Sequence, residues 1–163
     1  MRATSRYAVA VLVGLGAAVT SPEITPAQDR SRDQKIDVMN ELAGEMLECS
    51  SYFLILAQCV ESHPDPRAPK IAENYRHSAQ QLGTLAITVG RSIGITDEAT
   101  EARTKLSFGQ QMKSIKNNCI NISVLLERYS DFCALMGRTP DKRMEELAAG
   151  KFCTGTYKCQ PQK

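Results

Sequence analysis

Three prolines within six residues, Pro64, Pro66 and Pro69, divide two runs that keep helical time. Proline fixes φ, removes a backbone donor and pushes the residue before it to an extended conformation, so no helix crosses this stretch. Before it, Ile36, Met39, Ala43, Met46, Phe53, Ala57 and Val60 follow steps of three and four, with Ser50 as the polar member. Leu42, Cys49 and Leu56 widen that stripe. The pattern predicts an amphipathic helix over 31–61 with one buried face. After it, Pro69 suits a first helical turn. Ile71, Tyr75, Ser78, Leu82, Leu85 and Val89 carry the second stripe, flanked by Ala72, Ala79, Ala86 and Ile93, and Gly94 stops it.

Thr96 opens a third segment with Asp97, Glu98 and Glu101 in its first turns, where acids oppose the positive helix end. The period falters between Lys105 and Gly109. It then resumes through Phe108, Met112, Ile115, Cys119, Ile122, Leu126, Tyr129, Cys133 and Met136. Ser107 and Gln110 fit a capping box. The reading is a short helix over 97–105 and a long one over 108–136. The alternative is one helix of roughly 40 residues, which would overhang its neighbours and invite a homodimer. Gly137 ends the run, Thr139-Pro140 opens a short helix over 140–149, and Gly150 closes it. No strand-like alternation of useful length occurs. The expected fold is therefore all-α, an antiparallel helical bundle of three long helices plus one or two short ones, stabilised by disulfides.

The first residues read as a secretory signal. Arg2 and Arg6 precede the apolar stretch Tyr7–Val19, which is too short to span a bilayer. Cleavage is expected after Ala27, with Ala18 as the alternative. The resulting organisation is 1–27 signal peptide, 28–150 helical domain and 151–163 a disulfide-pinned tail. No later apolar run approaches a membrane span, so the exported chain is expected to be soluble and periplasmic or secreted.

Export gives meaning to the six cysteines, Cys49, Cys59, Cys119, Cys133, Cys153 and Cys159. An even number in an oxidising compartment reads as disulfides, and six allow 15 pairings. Cys119 and Cys133, about 21 Å apart on one helix, cannot join each other, and neither can Cys49 and Cys59, about 15 Å apart. If the first and last long helices are parallel, Cys49 falls level with Cys119 and Cys59 with Cys133. Cys49–Cys119 is the favoured pair. Cys59 joins Cys133, Cys153 or Cys159, and a local Cys153–Cys159 bridge would leave Cys59–Cys133.

Catalytic chemistry finds little support. There is no C-x-x-C, no G-x-S-x-G and no glycine-rich phosphate loop. His63 and His77 are the only histidines, and neither has the Glu three residues earlier that a bundle di-metal site needs. Glu73 and His77 read as a surface pair. Met39, Met46, Met112 and Met136 read as core filler rather than soft-metal ligands. Glu41, Glu45 and Glu48 read as a solvent-facing row rather than an acid–base pair. No catalytic, cofactor-binding or metal-binding residue is assigned. A net charge of +2 does not argue for nucleic acid.

Two features stand apart. The amides and hydroxyls Gln110, Gln111, Ser114, Asn117, Asn118 and Asn121 are read as interhelical hydrogen bonding that fixes register, rather than as a polar groove. The loop His63–Pro69 is read as a rigid connector. Asn121-Ile122-Ser123 matches a glycosylation acceptor, but falls in mid-helix on this reading. The expected function is binding of another exported protein, as an inhibitor, adaptor or envelope-assembly factor, without enzymatic activity or cofactor. The alternative is a carrier of a small apolar ligand or a metal.

Overall fold

The computed structural model describes residues 26–152, with side chains over 31–150. The described residues are all-helical: α1 (Pro26–Glu61), α2 (Ala68–Ser92), α3 (Asp97–Ser114), a 3-10 turn (Cys119–Asn121), α4 (Ser123–Arg138) and α5 (Pro140–Phe152). The predicted cut after Ala27 falls in the first turn of α1. Residues 1–25, which include the apolar stretch and Ala18, lie outside the described residues, as do Cys153 and Cys159.

α1 is the hub, touching α2, α3, α4 and α5. The periodicity of α1 predicts one buried face. Instead Cys49, Ser50, Ser51 and Tyr52 are buried in succession, and at 100° per residue four consecutive positions point to nearly every side. Ile36, Met39, Phe53 and Val60, placed on the expected stripe, are only partly buried. Leu42, Met46, Ile55 and Leu56 carry the core with Leu82, Ile115, Leu125 and Met136.

α2 meets α1 through its small residues. Ala68, Ala72, Ala79, Leu82, Ala86 and Gly90 are the buried positions, whereas Ile71 and Leu85 of the expected stripe are exposed. Alanine lets the helix axes approach, close enough that the Ser50 hydroxyl donates to the Ala79 carbonyl at 2.8 Å. A Cβ on Gly83 would sit 3.3 Å from that same hydroxyl. The α2 end follows the sequence: Gly94 has φ +84, Ile95 N–H reaches Gly90 O and Gly94 N–H reaches Arg91 O, the paired bonds of a glycine-terminated helix. Thr96 caps α3 by accepting from Ala99 N–H, and Arg91 pairs with Asp97 at 2.5 Å across the turn.

The break near 105–109 is absent, since α3 runs through it to Ser114. Ser107 lies inside the helix and is no cap; its hydroxyl accepts from Gln111 Nε2 at 3.4 Å. The helix expected over 108–136 is itself divided. Lys116 and Asn117 adopt φ 54 and 53, a left-handed conformation that asparagine tolerates better than most residues. Asn118 is extended, and its side chain accepts from Ile120 N–H at 3.0 Å. Apolar periodicity continues across this turn while the backbone does not. With no single long helix here, the premise that suggested a homodimer falls. α5 passes Gly150 and ends at Phe152.

The division changes the disulfides. Cys49 joins Cys133 and Cys59 joins Cys119, so Cys49–Cys119 and Cys59–Cys133 are both corrected. The expected pairing assumed that the first and last long helices run parallel. The turn at 116–122 reverses the chain instead. Along α1 the ties descend from Cys59 to Tyr52, Cys49 and Glu45. Along the later chain they ascend through Cys119, Tyr129, Cys133 and Arg143.

Candidate binding clefts

Among the described residues, two clefts stand out on this framework. The wider, about 740 Å³, lies between α2 and α4 and is bordered by Phe53, His77, Gln81, Leu85, Ala134 and Arg138. The second, about 550 Å³, lies where the α1–α2 connection meets the 116–122 turn. Its walls are mainly apolar: Leu56, Val60, Ile71, Tyr75, Ile122 and Leu126. Phe53 borders the first cleft and Tyr75 the second, and their rings stack with centroids 6.0 Å apart and planes at 19°. This pair lies between the two clefts.

Local bonds fasten the rims of the second cleft. The Cys59–Cys119 bridge borders it and fastens the turn to the end of α1. Asn121 Nδ2 donates to the Ile115 carbonyl at 3.0 Å, closing the turn on itself. On the opposite rim, Asp65 accepts from the backbone N–H of Arg67 at 2.8 Å and receives the Arg67 guanidinium at 2.7 Å. These bonds hold the Asp65 carboxyl below the usual carboxylate range. Asp65 N–H is 3.3 Å from His63 Nδ1. The proline-rich connector is thus an ordered rim, with both His63 and Asp65 bordering the cleft. Ile120 projects from the far wall with 85% of its surface exposed, and Ile71 and Leu126 beside the cleft are exposed as well.

The polar cluster divides by role. Gln111 is buried and its Nε2 donates to the Glu48 carbonyl of α1 at 2.9 Å; its Oε1 has no partner among the described residues. Asn118 and Asn121 shape the turn. Ser114 donates to the Gln111 carbonyl, while Gln110 and Asn117 are exposed. No groove gathers these six. Asn121, expected in mid-helix, sits at the end of the 3-10 turn with its amide engaged.

The candidate titratable residues do not converge. Glu45 receives the Arg143 guanidinium in two bonds, at 2.6 and 2.8 Å, and this raises the arginine pKa further. Glu41 and Glu48 are exposed on α1. Glu73 pairs with Arg76 at 3.6 Å, and Arg76 also pairs with Glu61. His77 borders the wider cleft and His63 the second, so the two histidines do not share a site. Met46 and Met136 are core residues, while Met39 and Met112 are partly buried. Among the described residues no group of three His, Cys, Asp or Glu side chains is placed to hold a metal, and no helix is long and apolar enough to cross a membrane.

Sequence reasoning missed Ile120 as a surface residue. It sits between two residues assigned to a helix, and only the Asn117-Asn118 pair before it signalled a turn. Compared with protein-family models, with curated proteins and with solved structures, the chain matches none of them.

Proposed function

We propose that this protein is an exported helical bundle that works by binding another exported protein, and that the cleft beside Cys59–Cys119 is its contact surface. The observation that carries the reading is Ile120, a large apolar side chain 85% exposed at the tip of a turn that a disulfide fastens. Covering one such side chain contributes about 1.5–3 kcal/mol. A fixed turn loses little entropy when it is covered. Ile71 and Leu126 extend the apolar surface, and His63 and Asp65 supply a polar rim, the usual anatomy of a contact patch. The partner segment that suits this surface is a helix or loop presenting two or three apolar side chains. Two disulfides among the described residues fit an oxidising compartment, which supports export.

The second reading, a carrier of a small apolar ligand, is favoured by the cleft's volume of about 550 Å³, within the range of small-molecule sites. Placing a photo-crosslinking amino acid at position 120 in the producing cell separates the two. The binding reading expects a crosslinked protein band that is lost when Leu126 is changed to Asp. Crosslinks to small molecules alone would replace it with the carrier reading.

A further inference from the structure

The two disulfides differ in how they can be reached. Cys49 and Cys133 expose none of their surface. Although Cys133 borders the wider cleft, core residues on α1 and α4 enclose the bridge. Cys59 and Cys119 are each partly exposed, and both border the apolar cleft. Thiol–disulfide exchange requires a thiolate to approach one sulfur of the bond, so access divides the bridges before any other factor acts.

The second difference lies in what each bridge holds. The hydrogen bonds of the segment 116–122 are local. Lys116, Asn117, Asn118, Asn121 and Ile122 N–H groups all reach carbonyls between Met112 and Cys119. The Asn118 and Asn121 side chains bond within the same stretch. Among the described hydrogen bonds none joins this segment to α1. Its covalent tie to α1 is Cys59–Cys119, and the segment contains two non-glycine residues at positive φ. Of its side chains Ile122 packs, half-buried, against the core, whereas Cys49–Cys133 joins two helices that also pack through Tyr52 and Tyr129, both buried, with ring centroids 5.8 Å apart.

We propose that Cys59–Cys119 is a thiol–disulfide exchange site for a protein dithiol, and that exchange there releases the turn bearing Ile120. One thiolate of the dithiol attacks a sulfur of the bridge. The Cys59–Cys119 bond breaks, a mixed disulfide forms, and the departing thiolate takes a proton from water. The second thiolate of the dithiol then attacks the mixed disulfide and frees the other cysteine, which is protonated in turn. The bridge gains two electrons and two protons, and the dithiol leaves as a disulfide. The apolar walls and the open mouth of the cleft suit the approach of a protein surface carrying such a dithiol. The inference stands on access and local bonding, and does not depend on what else the cleft binds.

The test uses the full oxidised protein under native conditions. It is exposed to dithiothreitol, and separately to a reduced thioredoxin-type dithiol protein, quenched with N-ethylmaleimide at intervals, and mapped by peptide mass spectrometry. The expected result is that Cys59 and Cys119 are labelled together at least about tenfold faster than Cys49 and Cys133 with both reductants. Hydrogen exchange of the selectively reduced protein should show lost protection in 112–126 with α1 and α2 unchanged. Labelling of Cys49 and Cys133 first or at the same rate would overturn the site. So would inertness of Cys59 and Cys119 to the dithiol protein until denaturant is added. Selective labelling with unchanged exchange in 112–126 would overturn the release of the turn.

Discussion

Tyr52 shows what burial does to a single group. Its ring is enclosed between α1 and α4, and burial, with the Tyr75 and Asp131 charges adding, pushes its phenol up to about 12. An unfolded tyrosine ionises near 10. Above that pH the unfolded chain releases a proton that the folded chain retains, so stability falls as pH rises from about 10 through about 12. Burial raises Tyr129 as well, so ultraviolet difference titration should show a late-ionising step that Tyr52→Phe reduces without removing. The glycines behave by the same local logic. Gly94 sits at φ +84, so Gly94→Ala should cost about 1 kcal/mol. Gly109 lies inside α3 with open space where a Cβ would stand, so Gly109→Ala should add about 0.5–1 kcal/mol. Urea midpoints with unchanged m-values would check both signs. Ile120→Asp, at an 85% exposed position, should alter stability by less than about 0.5 kcal/mol. It should abolish the crosslink that a photo-crosslinking amino acid at position 71, on the wall of the same cleft, forms with a partner.

At the scale of elements, the structure separates two properties that the sequence displays together. Apolar periodicity over 108–136 marks positions that end up buried or half-buried: Phe108, Met112, Ile115, Cys119, Ile122, Tyr129, Cys133 and Met136 all are, with Leu126 the exposed exception. The same periodicity does not report backbone continuity, because the turn at Lys116-Asn117 returns the chain to the core at a compatible spacing. Lys116 bears the left-handed conformation with no compensating asparagine chemistry. Lys116→Gly should therefore raise stability by up to about 1 kcal/mol, measurable as a higher urea midpoint. α2 offers a parallel lesson. Counting hydropathy selects Ile71 and Leu85, whereas the buried positions of α2 are mostly small: Ala72, Ala79 and Ala86, with Gly90 against Ile95 and Thr100. Helix approach is governed by side-chain volume as well as by hydropathy.

At the scale of the molecule, α1 is a spine to which the rest of the chain is fastened at widely separated points. The disulfides close intervals of 84 and 60 residues. Arg143 clamps α5 to Glu45, 98 residues away, and lies over the Phe132 ring with its guanidinium carbon 5.7 Å from the centroid. Long closed loops restrict the unfolded chain most, so replacing Cys49 and Cys133 together by Ala should cost about 2–4 kcal/mol, read from the urea midpoint.

Much of this protein was legible from its residues alone. The helical class, the break at Pro64–Pro69, the Gly94 stop, the Thr96 cap and the start of α5 at Pro140 each follow from local backbone chemistry, which acts within a few residues. The exclusion of Cys49–Cys59 followed from helix rise along α1, whereas that of Cys119–Cys133 assumed one helix that the turn at 116–122 divides. What the tertiary structure decided was relative direction. Whether α1 and α4 run the same way or opposite ways turns on the left-handed conformation of Lys116 and Asn117, and reversing it exchanged the partners of four cysteines. It also decided which face of α2 packs and placed Ile120 outside. These outcomes depend on how separated segments share one core, and periodicity along a single segment carries no information about its neighbour's direction.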